Sequence, residues 1–341
     1  MSNPLSRREF LGGIGAAAAA SAAVTGQTLP TRPFGATGEK VTILAIGCGN
    51  RLWAAYKTED RGAQALQMAY DHGIRYFDTA QGYGDGISET WVGHVTKPFR
   101  NDVILATKTS ARSYDEVLKR AEASLKRLQT DHLDVLHIHG LGYEEDLEKI
   151  EKEGAVKALR KLRDEKTVRF IGITSHTDPV TLAKALERYD FNCTQMALNA
   201  GMQGRSPDGA GYWKTGGISD FFGEPIAPKP YPGSSFEDVA LPVAVRKKMG
   251  VIGMKITAQE GLIGSGSKKA SAEKLIQYAL SLPVSLVTVG MPQLEFIPKN
   301  TELARNFQPM PAAEMKELST RLAEANKTAL DYHFNHEHHD A

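Results

Sequence analysis

The sequence predicts a closed (β/α)8 barrel, on three observations. Short apolar runs alternate with amphipathic helical stretches from Val41 to Val289, and counted through they make eight strand-and-helix units, a series that favours a closed parallel barrel over an open sheet. Three consecutive runs end in polar residues: Asp78 after Tyr76, Lys108 after the run from Val103, His139 after the run from Leu133. Parallel α/β proteins carry their chemistry at such strand ends. With 341 residues the chain can form one large barrel or two smaller domains, with a substantial core.

In chain order, residues 1–26 stand apart. Paired arginines, Arg7 and Arg8, precede Phe10 and a weakly apolar, alanine-rich stretch with small residues near Ala20 to Ala23. The segment resembles a twin-arginine (Tat) signal peptide. The expectation is a periplasmic or extracytoplasmic protein that meets the Tat export machinery and has no membrane span once processed, the run being too short and too weakly apolar. The alternative is a buried or disordered alanine-rich helix.

The barrel region is expected over 27–332. Gln27 to Gly38 reads as linker and opening β-hairpin, punctuated by Pro30, Pro33 and Gly35. Val41 to Ile46 suits a strand buried on both faces. Glu59 to His72 carries Ala63, Leu66 and Ala69 on one stripe and stops at Gly73. Ser88 is expected to cap a helix to Val95, and Ser113 to cap one with Val117, Leu118, Ala121 and Leu125 on one face. A helix Ala155 to Lys166, a strand Phe170 to Thr174 and a helix from Pro179 to Arg188, with proline at its start, follow. The alternation runs on through Thr194 to Leu198, Phe236 to Lys248, Val251 to Lys255, Ser271 to Leu282 and Leu286 to Val289. Pro311 to Tyr332 closes the chain as an extra helix against the barrel wall.

Two stretches break the rhythm. Met202 to Ser235, after the sixth strand, is rich in glycine and proline and holds Tyr212, Trp213, Phe221, Phe222 and Tyr231. Loops of this length are functional or disordered, and the aromatics favour a lid or substrate wall over a surface insertion or oligomer contact. The tail 333–341 collects His333, His336, His338 and His339, which reads as a frayed polar end rather than a metal site. Lysine plus arginine number 41 against 40 acids, so no global field invites nucleic acid. Cys48 and Cys193 are expected as buried free thiols, with a bridge as the alternative in an oxidising compartment.

The chemistry centres on Tyr76 to Gly93, YFDTAQGYGDGISETWVG. A free tyrosine keeps its proton to pH about 10, so Tyr83 becomes a useful acid only beside a cation that stabilises its phenolate, the part assigned to Lys108. Asp78 would pair with that lysine and aim it. His139 would orient a carbonyl oxygen beside Tyr83 and share in the proton transfer. The set has no nucleophile with an adjacent base, so it is suited to protonating an oxygen rather than to acyl transfer. His137 should share the strand face of His139 and reads as a satisfied barrel-core histidine.

These ordered motifs, FDTA…YG followed by SE, then the strand-end lysine, then the histidine five residues after Asp134, resemble the aldo/keto reductase family. Arg32 to Gly49 is similar to the family's opening segment, FIGITS from Phe170 to an internal strand, and Gly290 to Asn300 keeps the spacing of a late glycine and asparagine. The likeness runs over roughly residues 32–310. It implies a TIM barrel, with Tyr83, Asp78, Lys108 and His139 as catalytic residues. It further implies a nicotinamide cofactor, NADP or NAD, bound by Gly47, Asp78, Thr174, Ser175, Gln195, Met254, Lys255, Gly290 and Asn300.

The chain departs from the family at the places where a ribose phosphate and a nicotinamide stacking partner are expected. Met291, Gln293 and Phe296 offer no cation, Lys299 alone compensating, and Met254 stands where relatives have an aromatic ring. The implied activity is reduction of a small-molecule carbonyl, an aldehyde, ketone or sugar, or the reverse oxidation. The alternatives are an exported barrel that only binds a sugar or protein partner and a sugar oxidoreductase that recycles a tightly held cofactor. No metal is expected, and the sequence leaves oligomeric state open.

Overall fold

The computed structural model describes residues 28–176, 178–202 and 235–336, with side chains to residue 325. The export-signal segment, nearly all of the aromatic loop and the histidine side chains of the tail lie outside the described residues.

Eight parallel strands close a barrel: β3 (Leu44–Gly47), β4 (Tyr76–Asp78), β5 (Ile104–Thr109), β6 (Leu133–Ile138), β7 (Val168–Ser175), β8 (Cys193–Ala197), β9 (Gly250–Met254) and β10 (Leu286–Gly290), with β10 returning to pair with β3. Because strand side chains alternate, each strand feeds two cores. Ala45, Tyr76, Ile104, Ala106, Val135, Cys193, Ile252 and Leu286 fill the barrel interior. Their neighbours Leu44, Ile46, Phe77, Leu105, Leu136 and Ile173 pack outward under the helices.

An antiparallel hairpin of β1 (Thr31–Pro33) and β2 (Lys40–Thr42) stoppers the amino end. Its Phe34 is fully buried, edge-on to Tyr76 at 6.1 Å and to Phe170 at 6.0 Å between ring centroids. The run Val41 to Ile46 is therefore two strands and not one. The chain leaves the hairpin at Ile43, whose N–H donates to Pro30 O while its own carbonyl accepts from Val287, and only then enters the barrel. A continuous apolar run hides this division, since both pieces are buried.

Helices cover the barrel in the predicted order. Asp178 caps Pro179–Arg188, accepting from Val180 and Thr181 N–H at 2.9 and 3.0 Å, and Ser271 caps Ala272–Ser281 through Lys274 N–H. The two caps expected from the sequence, Ser113 and Ser88, differ. Ser113 precedes Tyr114–Leu128 without a capping side-chain bond. Ser88 lies inside Ile87–Thr96 and spends its hydroxyl elsewhere. Phe236 to Lys248 shortens to Ala240–Arg246, the last helix spans Ala312–His336, and three further α-helices appear, Asn50–Tyr56, Glu144–Glu153 and Phe296–Arg305.

Cys48 and Cys193 are free and buried, and burial pushes both thiols up. No helix among the described residues is long and apolar enough to cross a membrane. Nor do those residues contain a group of three or more His, Cys, Asp or Glu placed to hold a metal ion.

Candidate active site

At the carboxyl ends of β4, β5 and β6 the predicted four residues meet. Lys108, only 1 % exposed, directs its ammonium at Asp78 Oδ1, 2.8 Å away. The same Nζ donates to Thr79 O at 2.8 Å and to Tyr83 Oη at 3.4 Å. A buried ammonium is tolerated only with such partners, and Asp78 with the Thr79 carbonyl fixes its direction toward the phenol. His139 lies one residue past β6, its ring edge-on to Tyr83 with 5.7 Å between centroids.

The sequence builds this corner by bolting loops to strands. Tyr83 opens a 3-10 turn, Tyr83–Gly86, in which Gly84, Asp85 and Gly86 all have positive φ. Gly84 also comes so close to Trp53 that a Cβ would lie 2.8 Å from its indole nitrogen, so the turn requires glycine there. Ser88 donates to Cys48 O at 2.5 Å and contacts Thr79 Oγ1 at 2.7 Å. Glu89, fully buried, accepts from Thr107 at 2.6 Å and pairs with Arg127. The serine and glutamate after the tyrosine thus tie its helix to β3, β4 and β5.

On the His139 side the binding device was not legible in the sequence. Arg112 and Asp146 form a buried pair at 2.6 Å, and Arg112 Nη2 donates to His139 O and Gly140 O at 3.0 and 3.3 Å. Thr174 accepts from Gly140 N–H and Ser175 donates to Leu141 O, both at 2.8 Å. These two hydroxyls therefore hold the loop behind His139. From this strand end it is His176, absent from the sequence-based set, that lines the groove. Its ring centroid lies 6.5 Å from that of His139.

The groove runs away from Asp78 and Tyr83 and encloses about 1140 Å³, part of it open to solvent. Gly47, Gln195, Met254, Lys255, Gly290 and Asn300 line it as the sequence suggested. Gln195 Nε2 donates to Asp78 Oδ2 at 2.8 Å, and its Oε1 is buried with no hydrogen-bond partner, as is Thr288 Oγ1. Gly290 faces open space and Gly47 approaches the β10 backbone, a Cβ there falling 3.3 Å from Gly290 N and from Thr288 Oγ1, so neither glycine puts a side chain into the groove. Arg51 crosses to Glu260 at 2.7 Å over one side. Ala258, Gln259 and Glu260 hold left-handed backbone there without a glycine, strain of the kind that collects at functional sites.

His137 is a barrel-core residue, as its strand face implied, but it is not satisfied. It is fully buried and neither ring nitrogen has a hydrogen-bond partner. Gly172 makes room for it, since a Cβ there would lie 2.4 Å from Nδ1. Burial, then the charges of Lys108 and His139, hold its pKa well below the ordinary imidazole value. Folded, it stays neutral; unfolded, it takes a proton below pH about 6.5. The stability it contributes is present above that pH and is lost as pH falls, by up to about 1.4 kcal/mol per unit. His137→Leu is therefore expected to show a shallower loss of urea-unfolding free energy between about pH 7 and 5 than the parent chain. Equal slopes would remove the assignment.

Residues 45–205 match the aldo/keto reductase family. Over 154 residues the chain is 36% identical to L-galactose dehydrogenase of Arabidopsis thaliana, covering 42% of this chain and 47% of that protein. It is 32% identical to aldo-keto reductase YhdN of Bacillus subtilis, covering 41% and 45%. The chain thus spans about half the length of the curated relatives it matches. Among solved structures, aldo-keto reductase AKR11C1 from Bacillus halodurans superposes with TM-score 0.63 at 21% identity, over 87% of this chain and 97% of that one. An aldo-keto reductase from Klebsiella pneumoniae in complex with NADPH gives 0.63 at 22%, over 87% and 96%. The family match thus spans residues 45–205, and the chain as a whole takes the barrel fold of these solved aldo-keto reductases.

Proposed function

We propose that the protein is a nicotinamide-dependent oxidoreductase that interconverts a carbonyl and an alcohol, with Tyr83 as the proton donor and acceptor. One observation carries the reading. A tyrosine hydroxyl stands 3.4 Å from a buried ammonium that is itself fixed at 2.8 Å from a carboxylate, at the head of a long groove. The ammonium favours negative charge on the phenol oxygen, so Tyr83 can release its proton to an oxygen beside it. His139, edge-on to that ring, is placed to orient the same oxygen.

The groove suits the cofactor on this chain's own features. Gln195 Oε1 and Thr288 Oγ1 are buried acceptors without a partner, the situation a bound amide or hydroxyl relieves. The absence of side chains at Gly47 and Gly290 leaves room for a flat ring, and Met254 lines the same groove. When bound, a nicotinamide supplies the hydride, and the residues described above supply position and the proton. The solved Klebsiella relative holding NADPH supports the same reading.

The substrate class proposed is an aldehyde, ketone or sugar. Arg7 and Arg8 ahead of the alanine-rich run support export by the twin-arginine route. A reductase outside the cytoplasm requires a cofactor that travels with it or a substrate pair that recycles it in place. The experiment is mass spectrometry of any small molecule released on denaturing the purified protein, with titration of nicotinamide dinucleotides into it. The expected result is a bound or bindable dinucleotide. A protein that is empty and takes up neither form removes the oxidoreductase in favour of a binding barrel.

A further inference from the structure

We infer that the groove prefers the nicotinamide dinucleotide that lacks a phosphate on its adenosine ribose. The inference rests on the function proposed above. Hydride transfer requires the nicotinamide near Tyr83, so the adenosine end of an extended dinucleotide reaches the opposite wall, built by Ala272, Ile276, Pro292, Phe296 and Asn300. That wall is apolar apart from the Asn300 amide, a surface for a flat base rather than for an anion.

A ribose phosphate would add up to about two negative charges and three strong acceptor oxygens there. Recognition of such a group is the work of guanidinium forks or clustered cations. The cations of the elements forming this wall already face carboxylates. Lys299 Nζ lies 3.5 Å from Glu295 Oε1, and Lys274 Nζ lies 3.0 Å from Glu314 Oε1. Arg51, on the flank, pairs with Glu260 at 2.7 Å. Glu273 adds a further acid in the first turn of Ala272–Ser281. A phosphate could recruit Lys299 only by stripping Glu295, which would then repel it at short range. Exposed pairs of this kind are weak, so the consequence is a preference and not an exclusion.

The test is calorimetric titration of the full chain with NADH and with NADPH at about 0.15 M salt. NADH is expected to bind about tenfold more tightly or better. NADPH binding as tightly or more tightly overturns the inference and leaves the proposed function standing, whereas binding of neither overturns both. Phe296→Arg places a guanidinium on the wall and is expected to raise NADPH affinity severalfold relative to NADH. A ratio unmoved by that change removes this wall as the source of the preference.

Discussion

Tyr83→Phe is expected to lower the rate of carbonyl reduction by roughly 10²–10⁴-fold, the range supplied by one positioned proton donor, while nicotinamide affinity stays within about twofold. The ring remains, and with it the edge-on contact to His139 at 5.7 Å. Only the hydroxyl that faces Lys108 is lost. Single-turnover consumption of reduced nicotinamide, measured beside equilibrium titration of the same variant, separates chemistry from binding. A variant with parental rate would sink the assignment of Tyr83, whatever became of the cofactor.

Lys108→Met is the second large effect, and it falls on stability as well as rate. The substitution keeps much of the side chain's volume but leaves the buried Asp78 carboxylate without the ammonium that stood 2.8 Å away, its Oδ2 holding only the Gln195 amide. Removing one member of a buried pair costs about 3–5 kcal/mol, visible as an earlier urea midpoint at neutral pH. Adding Asp78→Asn to Lys108→Met deletes the orphaned charge and is expected to recover most of that loss without restoring turnover. Additive destabilisation in the double variant would show that the two side chains are not coupled.

The legible part of the site was the part written in consecutive strand ends. Asp78, Lys108 and His139 each follow an apolar run, and the glycines around Tyr83 announce a tight turn, so local pattern placed them at one mouth. The order of helices was legible for the same reason. What pattern could not supply was contact between distant residues. Arg112 and Asp146, which hold the His139 loop, look like ordinary charges in a loop and at the start of a charged helix. Glu144–Glu153 buries only Leu147, Ile150 and Asp146, too thin an apolar stripe to stand out among its acids. Ser88 misled because a serine ahead of a helical pattern satisfies the capping rule, while its hydroxyl is taken by Cys48 O. The role of His176 was hidden behind its neighbours Thr174 and Ser175, whose hydroxyls turned out to serve the loop behind His139.

The groove's position has a consequence for how the barrel opens. Gly47, Gly49 and Arg51 come from the first barrel strand and its sequel, Thr288, Val289 and Gly290 from the last, and these two strands meet only by closing the sheet on itself. A ligand lying there is a clasp across the junction at which the sheet's first and last strands meet. Occupancy adds its binding free energy to that junction, so amide hydrogens of β3 and β10 should gain protection together, as one cooperative unit. Emptying the groove would make the same seam the place where the barrel first comes apart.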